Sequence, residues 1–560
     1  MFLSRLATVA GLACVTAGQV VNQTSCNDKN YTYQELAGYG LISGNARDEY
    51  GDTIGGIGSA IALDRSQWKK LSNGSYNGVL WALPDRGWIA RFHLLWDMIR
   101  RQGFKKSTHF TDRHTPSPSN RKLIRSNGRN TEGTLNFQPR VHKFDILFTP
   151  QPNATVASPS GNNLFFTYKE TIRFLGPDGT PCTGLDADGT GHISFPGFPD
   201  LPVATYQGDG FGNDGPGGKR IPIDSEGLVL TPDGSFWVSD EYGPYIYRFN
   251  PAGLMIGAIR PPDAIIPMRN GTESFSADSP TFYASKGAGD DVTPADNPTG
   301  RDNNHGFEGL AVTGDGNTLY VLLQAAANQE GGLNKQTERY ARLVKYDITI
   351  PSAPRYAREF VVPLPLYNDP TAKASKNPKV AAQSEIFHIQ DGQFFILARD
   401  SGAGHGQSVS LSVYRHIDIF DISTATDIKG TTYDCANCSI ASDAGVLKTG
   451  ITPATYCSFI DFNVNSQLNR FGVQNGGAQD ASLLNEKWES IGLVPVDGLV
   501  GDDDEWFVFS LSDNDFITQD GYLESGEFRY ADGSGFNLDN QALVFKIHLP
   551  DHSRPFDRDP

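Results

Sequence analysis

One succession of motifs occurs four times along this chain, and it constrains the fold more than any other feature of the sequence. Ser225-Glu226-Gly227-Leu228 leads through Asp233-Gly234 to Phe236-Trp237-Val238-Ser239-Asp240-Glu241, and then to Tyr245-Ile246-Tyr247-Arg248-Phe249. The same order returns as Phe307-Glu308-Gly309-Leu310, Asp315-Gly316, Leu319-Tyr320-Val321-Leu322 and Leu343-Val344-Lys345-Tyr346. A third copy runs from Ser384-Glu385-Ile386 through Asp391-Gly392 and residues 394–400 to residues 417–422. A fourth opens on Glu489-Ser490-Ile491, passes Asp497-Gly498 and Trp506-Phe507-Val508-Phe509 to Asp513, and ends at residues 543–547. A fifth, divergent copy joins residues 59–63 to residues 79–86 and 141–146.

Each unit reads as a short apolar strand, an Asp-Gly turn, an aromatic strand and an alternating third strand. This pattern predicts an all-β, β-propeller-like fold in which every unit is a blade. The recurring Glu positions 226, 308, 385 and 489 are spaced by 82, 77 and 104 residues, longer than the ~40 to 50 residues of compact blades. Long loops are therefore expected, and room for another copy between Asp145 and Glu226 brings the expected count to six or seven blades. A Greek-key sandwich is the alternative, but it would not explain why Glu recurs before the first strand of four units. The composition agrees: 33 Phe, 21 Tyr and 7 Trp against 4 Met favour strands. A formal charge of −17 argues against a nucleic-acid partner.

Residues 1–18 read as a secretory signal, with Arg5 ahead of an apolar run and Val15 and Ala17 before the cleavage point. The remainder divides into an N-terminal segment (19–54), the repeat domain (55–548) and a polar tail (549–560), with no later apolar stretch long enough to span a membrane. A secreted, membrane-free monomer is expected. Sequons at Asn22, Asn30, Asn73, Asn153, Asn270 and Asn437 fit a glycosylated extracellular surface. Five cysteines remain after the signal, an odd number, so one thiol is left over. The pattern predicts a disulfide within residues 435–457, joining Cys435 (or Cys438) to Cys457. Residues 91–129 stand apart, with ten Lys/Arg and two Asp giving +8 within an acidic chain. They read as a disordered surface insertion or as translated intron sequence, since residues 85–88 would join residues 131–134 into an ordinary loop without them.

Asp85-Arg86-Gly87, Glu226-Gly227-Leu228, residues 239–244, Gly306-Phe307-Glu308-Gly309-Leu310, Arg399-Asp400 and Ser512-Asp513-Asn514-Asp515-Phe516 together resemble the phytase-like family, also called the esterase-like activity of phytase family. The likeness spans roughly residues 55–548. It implies a secreted propeller-like hydrolase of phosphate or carboxylic esters, with no catalytic set carried over; the insertion departs from the family pattern.

In a propeller the repeated charges would gather at one mouth of the central channel. Glu226, Glu308, Glu385 and Glu489, with Asp513, form the candidate metal set, because clustered carboxylates suit Ca²⁺ and its ~6 to 8 oxygen ligands. Asp240, Glu241, Asp400, Arg86 and Arg399, with Glu308, form the candidate catalytic set, in which guanidinium groups would hold an anionic ester. The competing reading is that these charges pair with one another and lock neighbouring blades. A small-molecule ester or phosphate-ester substrate is expected; a non-catalytic propeller binding a cation or a carbohydrate is the rival, and a calcium-dependent lactonase shares most of the same residues. No Gly-x-Ser-x-Gly, Arg-His-Gly, His-Glu-x-x-His or Walker A motif occurs. Asp186 and Asp188 imitate the start of an EF-hand loop, but its twelfth position is Gly197. His305 and His405 lie in loops beside repeat motifs, where a hydrogen-bonded loop histidine is the ordinary expectation and a general acid the other.

Overall fold

Turn chemistry starts each unit. Asp233 Oδ1 accepts hydrogen bonds from the Ser235 N–H at 3.0 Å and the Thr231 hydroxyl at 2.6 Å, and Gly234 takes φ +78°, which favours glycine. The period-two alternation on either side then places apolar side chains on both faces of a four-stranded antiparallel sheet. The structure, a computed structural model, describes residues 20–86, 136–211, 214–277, 292–497, 505–551, 553 and 555–556. The signal and residues 91–129 lie outside the described residues.

Among the described residues three sheets are four-stranded, and a ten-stranded sheet joins two further four-stranded antiparallel units through a single parallel pairing at Gly40 and Leu164, giving five units. Unit one comprises Ala60–Lys70, Tyr76–Leu83, Arg140–Phe148 and Leu164–Arg173. Unit two comprises Ser225–Leu230, Phe236–Asp240, Ile246–Phe249 and Met255–Ile259. Unit three comprises Phe307–Val312, Thr318–Leu323, Tyr340–Asp347 and Arg355–Pro363. Unit four comprises Ala382–Gln390, Gln393–Arg399, Arg415–Asp421 and Thr455–Asp461. Unit five comprises Gly492–Pro495, Glu505–Asp513 and Asn540–His548, and its fourth strand is Lys29–Ile42 from the N-terminal segment. Five units are described, against the six or seven blades expected. The stretch between Asp145 and Glu226 holds the fourth strand of unit one and a short hairpin, Ala204–Tyr206 with Gly218–Arg220, in place of another sheet.

A separate apolar cluster fills each interface between successive sheets. Trp81 meets Phe236 and Tyr247 between units one and two. Trp237 meets Val321 and Val344 between units two and three. Leu343 and Phe360 meet Phe394 and Phe420 between units three and four. Phe395 and Ile419 meet Trp506 and Phe545 between units four and five. Finally, Trp68 and Tyr76 of unit one pack on Phe507 and Phe509 of unit five. Sheets buried on both faces explain why these strands are so densely aromatic.

The expected bridge from Cys435 or Cys438 to Cys457 is not formed. Cys457 bonds Cys26 and Cys435 bonds Cys438, which leaves Cys182 as the free, buried thiol. The strand Asn22–Cys26 lies against Thr455–Asp461, with the Asn22 amide donating to Phe459 O at 2.7 Å and the Thr24 hydroxyl to Ser458 O at 2.7 Å, so Cys26 and Cys457 reach a Cα separation of 5.9 Å. A turn closed by the Cys438 N–H on Cys435 O brings the other two to 5.0 Å. Asn30, Asn73, Asn153, Asn270 and Asn437 are exposed, whereas Asn22 is half-buried through that bond to Phe459. No helix among the described residues is long and apolar enough to cross a membrane.

Candidate functional site

The first strands of units two and three each carry a β-bulge at the Glu-Gly step. Leu228 pairs with Val238 and Ser225 with Asp240, so Glu226 and Gly227 face a single residue; Leu310 pairs with Val321 and Phe307 with Leu323, so Glu308 and Gly309 do the same. A bulge re-aims its side chain, and both glutamates turn into one central cavity of ≈ 240 Å³. The glycines allow the strands to approach: a Cβ on Gly227 would stand 2.7 Å from Glu308 O, and one on Gly309 2.9 Å from Ile386 N.

Unit four is shifted. There Gln383 pairs with Ala398 and Glu385 with Leu397, so Ser384 takes the bulge and lines the cavity. Glu385 turns away and accepts the N–H groups of Leu310 at 2.9 Å and Ile386 at 2.8 Å, tying unit four to unit three. Of the four recurring glutamates, Glu226, Glu308 and Glu489 therefore line the cavity and Glu385 does not.

Glu241, Arg86 and Arg399 also line it, together with Asp85. Asp240 stands behind, its oxygens taken by the N–H groups of Asp224, Tyr242 and Gly243 at 2.9, 3.0 and 3.0 Å; burial still pushes its carboxyl up to about 7. Asp400 is occupied by the Ser412 hydroxyl at 2.7 Å and the Val413 N–H at 2.6 Å. Asp513 accepts the Asp515 N–H at 2.6 Å and holds Lys487 from outside the cavity wall. The EF-hand-like acids serve local structure, Asp186 on Ser276 and Ala277 and Asp188 on Thr205. His405 stacks edge-on against Phe536, away from the cavity, while His305 lies on its wall.

Three groups of the site were not singled out from sequence. Asp224 receives Arg86 Nε at 2.7 Å and the Arg86 N–H at 3.1 Å, and Arg86 also reaches Asn304. Lys487 donates to Asp85 at 3.2 Å, to Asp515 at 2.8 Å and to Asp513. Burial works against the charge of Lys487, but Asp513, Asp515 and Asp85 outweigh it and hold the ammonium well above the lysine range. Asp302 receives His305 Nδ1 at 3.2 Å. Lys487, two residues before Glu489, carries the signal that could have found it: a ring of acids needs a cation inside it.

At the centre, Glu226, Glu241 and Glu308 bring carboxylate oxygens within 4.8 Å of one another, with residue exposures of 5%, 2% and 3%. Burial first, then neighbouring carboxylates, Glu308 and Asp224 for both Glu226 and Glu241 and Glu489 for Glu308, raise all three carboxyls well above the glutamate range. Glu241 Oε1 and Glu308 Oε2 are buried without a hydrogen-bond partner, while Glu308 Oε1 accepts the Gln324 amide. Three carboxylates this close, two of which also carry an unpartnered buried oxygen, could hold a divalent cation.

A family model described as "Phytase-like: Esterase-like activity of phytase" matches residues 53–452. The chain belongs to the phytase-like family. An uncharacterized secreted protein of Arthroderma benhamiae is 49% identical to this phytase-like chain over 516 residues, covering 91% of it and 92% of the relative. A solved structure of an ancestral GH74 enzyme is similar at 12% identity and a TM-score of 0.19 over 90% of this chain. The phytase-like chain spans 62% of that structure's length, and a likeness of this size carries no argument.

Proposed function

We propose that this phytase-like chain is a secreted five-bladed propeller that hydrolyses esters, carboxylic or phosphoric, with a calcium ion held by Glu226, Glu241 and Glu308. Five units, each packed on the next through an apolar cluster and the fifth on the first, support the propeller. The two disulfides and the secreted relative support export. The observation that carries the chemistry is the pair of orphaned, buried oxygens, Glu241 Oε1 and Glu308 Oε2, facing one cavity. Buried carboxylates without partners are costly, and a cation relieves them.

A divalent cation at these oxygens would polarise the ester and lower the pKa of a bound water. The chain itself supplies a group for the proton. Asp302, a carboxylate that can only accept, takes the Nδ1–H of His305 at 3.2 Å, which leaves the Nε2 lone pair of His305 toward Lys335 Nζ at 3.4 Å on the cavity wall. In hydrolysis His305 would exchange its Nε2 contact with Lys335 for the attacking water, take one proton from it and return that proton to the departing alkoxide as the ester C–O or P–O bond breaks, giving acid and alcohol with no redox partner.

The test is dialysis against a chelator followed by calcium, with an aryl carboxylic ester and an aryl phosphate as substrates. Turnover lost on chelation and restored by calcium is the expected result. A protein that calcium stabilises but that turns over neither ester would be a binding propeller.

A further inference from the structure

The charges around the cavity discriminate between the two ester classes. Seven carboxylates and four basic side chains line it. Every one of those bases already has its counter-ion: Arg86 on Asp224, Arg399 on Glu489, Lys487 among Asp85, Asp513 and Asp515, and Lys335 on the buried Glu338 at 3.3 Å. Arg86 has Nε on Asp224 and Nη2 on Asn304, and Arg399 has Nη1 on Asp400 O at 3.4 Å and Nη2 on Glu489, so both arms of each guanidinium are already engaged by the protein. Arg399 Nε lacks a partner and can donate one hydrogen bond, but the charge behind it is matched by Glu489. Glu226, Glu241 and Glu308 have no basic partner within ion-pair distance among the described residues, and even a divalent cation leaves these three carboxylates with net negative charge.

A phosphate monoester brings about −1.5 to −2 near neutral pH into this field. A carboxylic ester brings none, and its product carboxylate would be repelled from the acidic cavity and so released. We infer that the site takes a neutral carboxylic ester, open-chain or cyclic, and rejects phosphate esters. The inference rests on the cation-assisted hydrolase reading above.

The experiment measures the calcium-dependent part of kcat/KM on the full mature chain with 4-nitrophenyl butyrate, a simple δ-lactone and 4-nitrophenyl phosphate, and then inhibition of ester turnover by inorganic phosphate. Expected are preference for a carboxylic substrate by about a hundredfold or more, in line with ~3 kcal/mol of charge discrimination, and insensitivity to phosphate. Glu489→Gln, which releases Arg399, should strengthen phosphate inhibition by about tenfold. Phosphate-ester turnover equal to or above the carboxylic one overturns the assignment and leaves the hydrolase reading standing. No calcium-dependent turnover of any substrate overturns the hydrolase reading and this inference with it. Equal phosphate sensitivity of wild type and Glu489→Gln overturns the argument that Glu489 cancels Arg399.

Discussion

Glu226 and Glu308 belong to neighbouring sheets, yet their carboxylate oxygens lie within 4.8 Å of each other because the same bulge occurs at the same step of both first strands. Burial first, and then the repulsion of neighbouring carboxylates, keeps both acids protonated above the ordinary glutamate value of 4.5. The folded state therefore binds protons that the unfolded chain has released. Stability from this source is complete below about pH 4.5 and is lost as pH rises through the raised folded values. The chelated protein should accordingly melt at a lower temperature at pH 8 than at pH 5, with calcium reversing the loss at pH 8. Glu308→Gln should raise the melting temperature of the chelated protein at pH 8 while abolishing its response to calcium. A chelated Glu308→Gln variant that melts below wild type at pH 8 would contradict the repulsion.

Glu385 shows the opposite use of the same motif position. Its Oε1 satisfies two buried backbone N–H groups, Leu310 and Ile386. Glu385→Ala orphans both and should destabilise by about 2 to 4 kcal/mol. It should leave the calcium-induced rise in melting temperature intact, because Glu385 does not face the cavity. Urea denaturation with and without calcium separates the two effects.

The recurrence of Glu, the Asp-Gly turns and the aromatic strands were all legible in the sequence, because each is a local requirement of a twisted sheet buried on both faces. Which glutamates enter the cavity was not legible: it depends on whether the bulge falls on Glu-Gly, as at 226 and 308, or one residue earlier, as at Ser384. Gly227 and Gly309 follow two of the inward-facing glutamates and Ile386 follows Glu385, but Ser490 follows Glu489, which also lines the cavity, so the residue after Glu does not by itself separate them. Asp240, Asp400 and Asp513 repeat as faithfully as the cavity residues, but repetition serves backbone satisfaction as well as chemistry. The pairing of Cys457 was hidden for another reason. It depends on where the N-terminal strand Lys29–Ile42 joins unit five and carries its hairpin partner against unit four.

That disulfide links chain positions 431 residues apart and ties the N-terminal hairpin, whose strand Lys29–Ile42 pairs with Asn540–His548, to the strand Thr455–Asp461. Cys26→Ser should therefore cost about 2 to 5 kcal/mol and lower the melting temperature markedly. Replacing Cys435 and Cys438 together by Ser should have a small effect, because a bridge between residues only three apart removes little freedom from the unfolded chain. Peptide mapping without reduction should recover Cys26 with Cys457 and alkylate only Cys182, and then only after unfolding, since that thiol is buried and burial raises it far above the usual cysteine range.

His388 supplies a pH dependence of opposite sign to the acidic cluster. The ring lies in the interface of units three and four, stacked on Tyr320 at 6.1 Å and edge-on to Phe394 at 5.1 Å, with Nδ1 buried and unpartnered. Burial lowers it from 6.5 to about 4, a tendency that the charges of Asp315 and Asp391 oppose and that of Lys345 assists. The unfolded chain takes up a proton near pH 6.5 that the folded chain refuses until about pH 4. Its contribution is complete above pH 6.5 and is lost as pH falls toward 4, by roughly 3 kcal/mol at most. His388→Phe keeps the aromatic packing and removes the titration, so between pH 7 and pH 4.5 the variant should lose less stability than wild type. Denaturant midpoints of both proteins in calcium, taken at half-unit steps across that range, measure the difference. Parallel curves would show that His388 charges freely in the folded protein and that the interface opens to admit its proton.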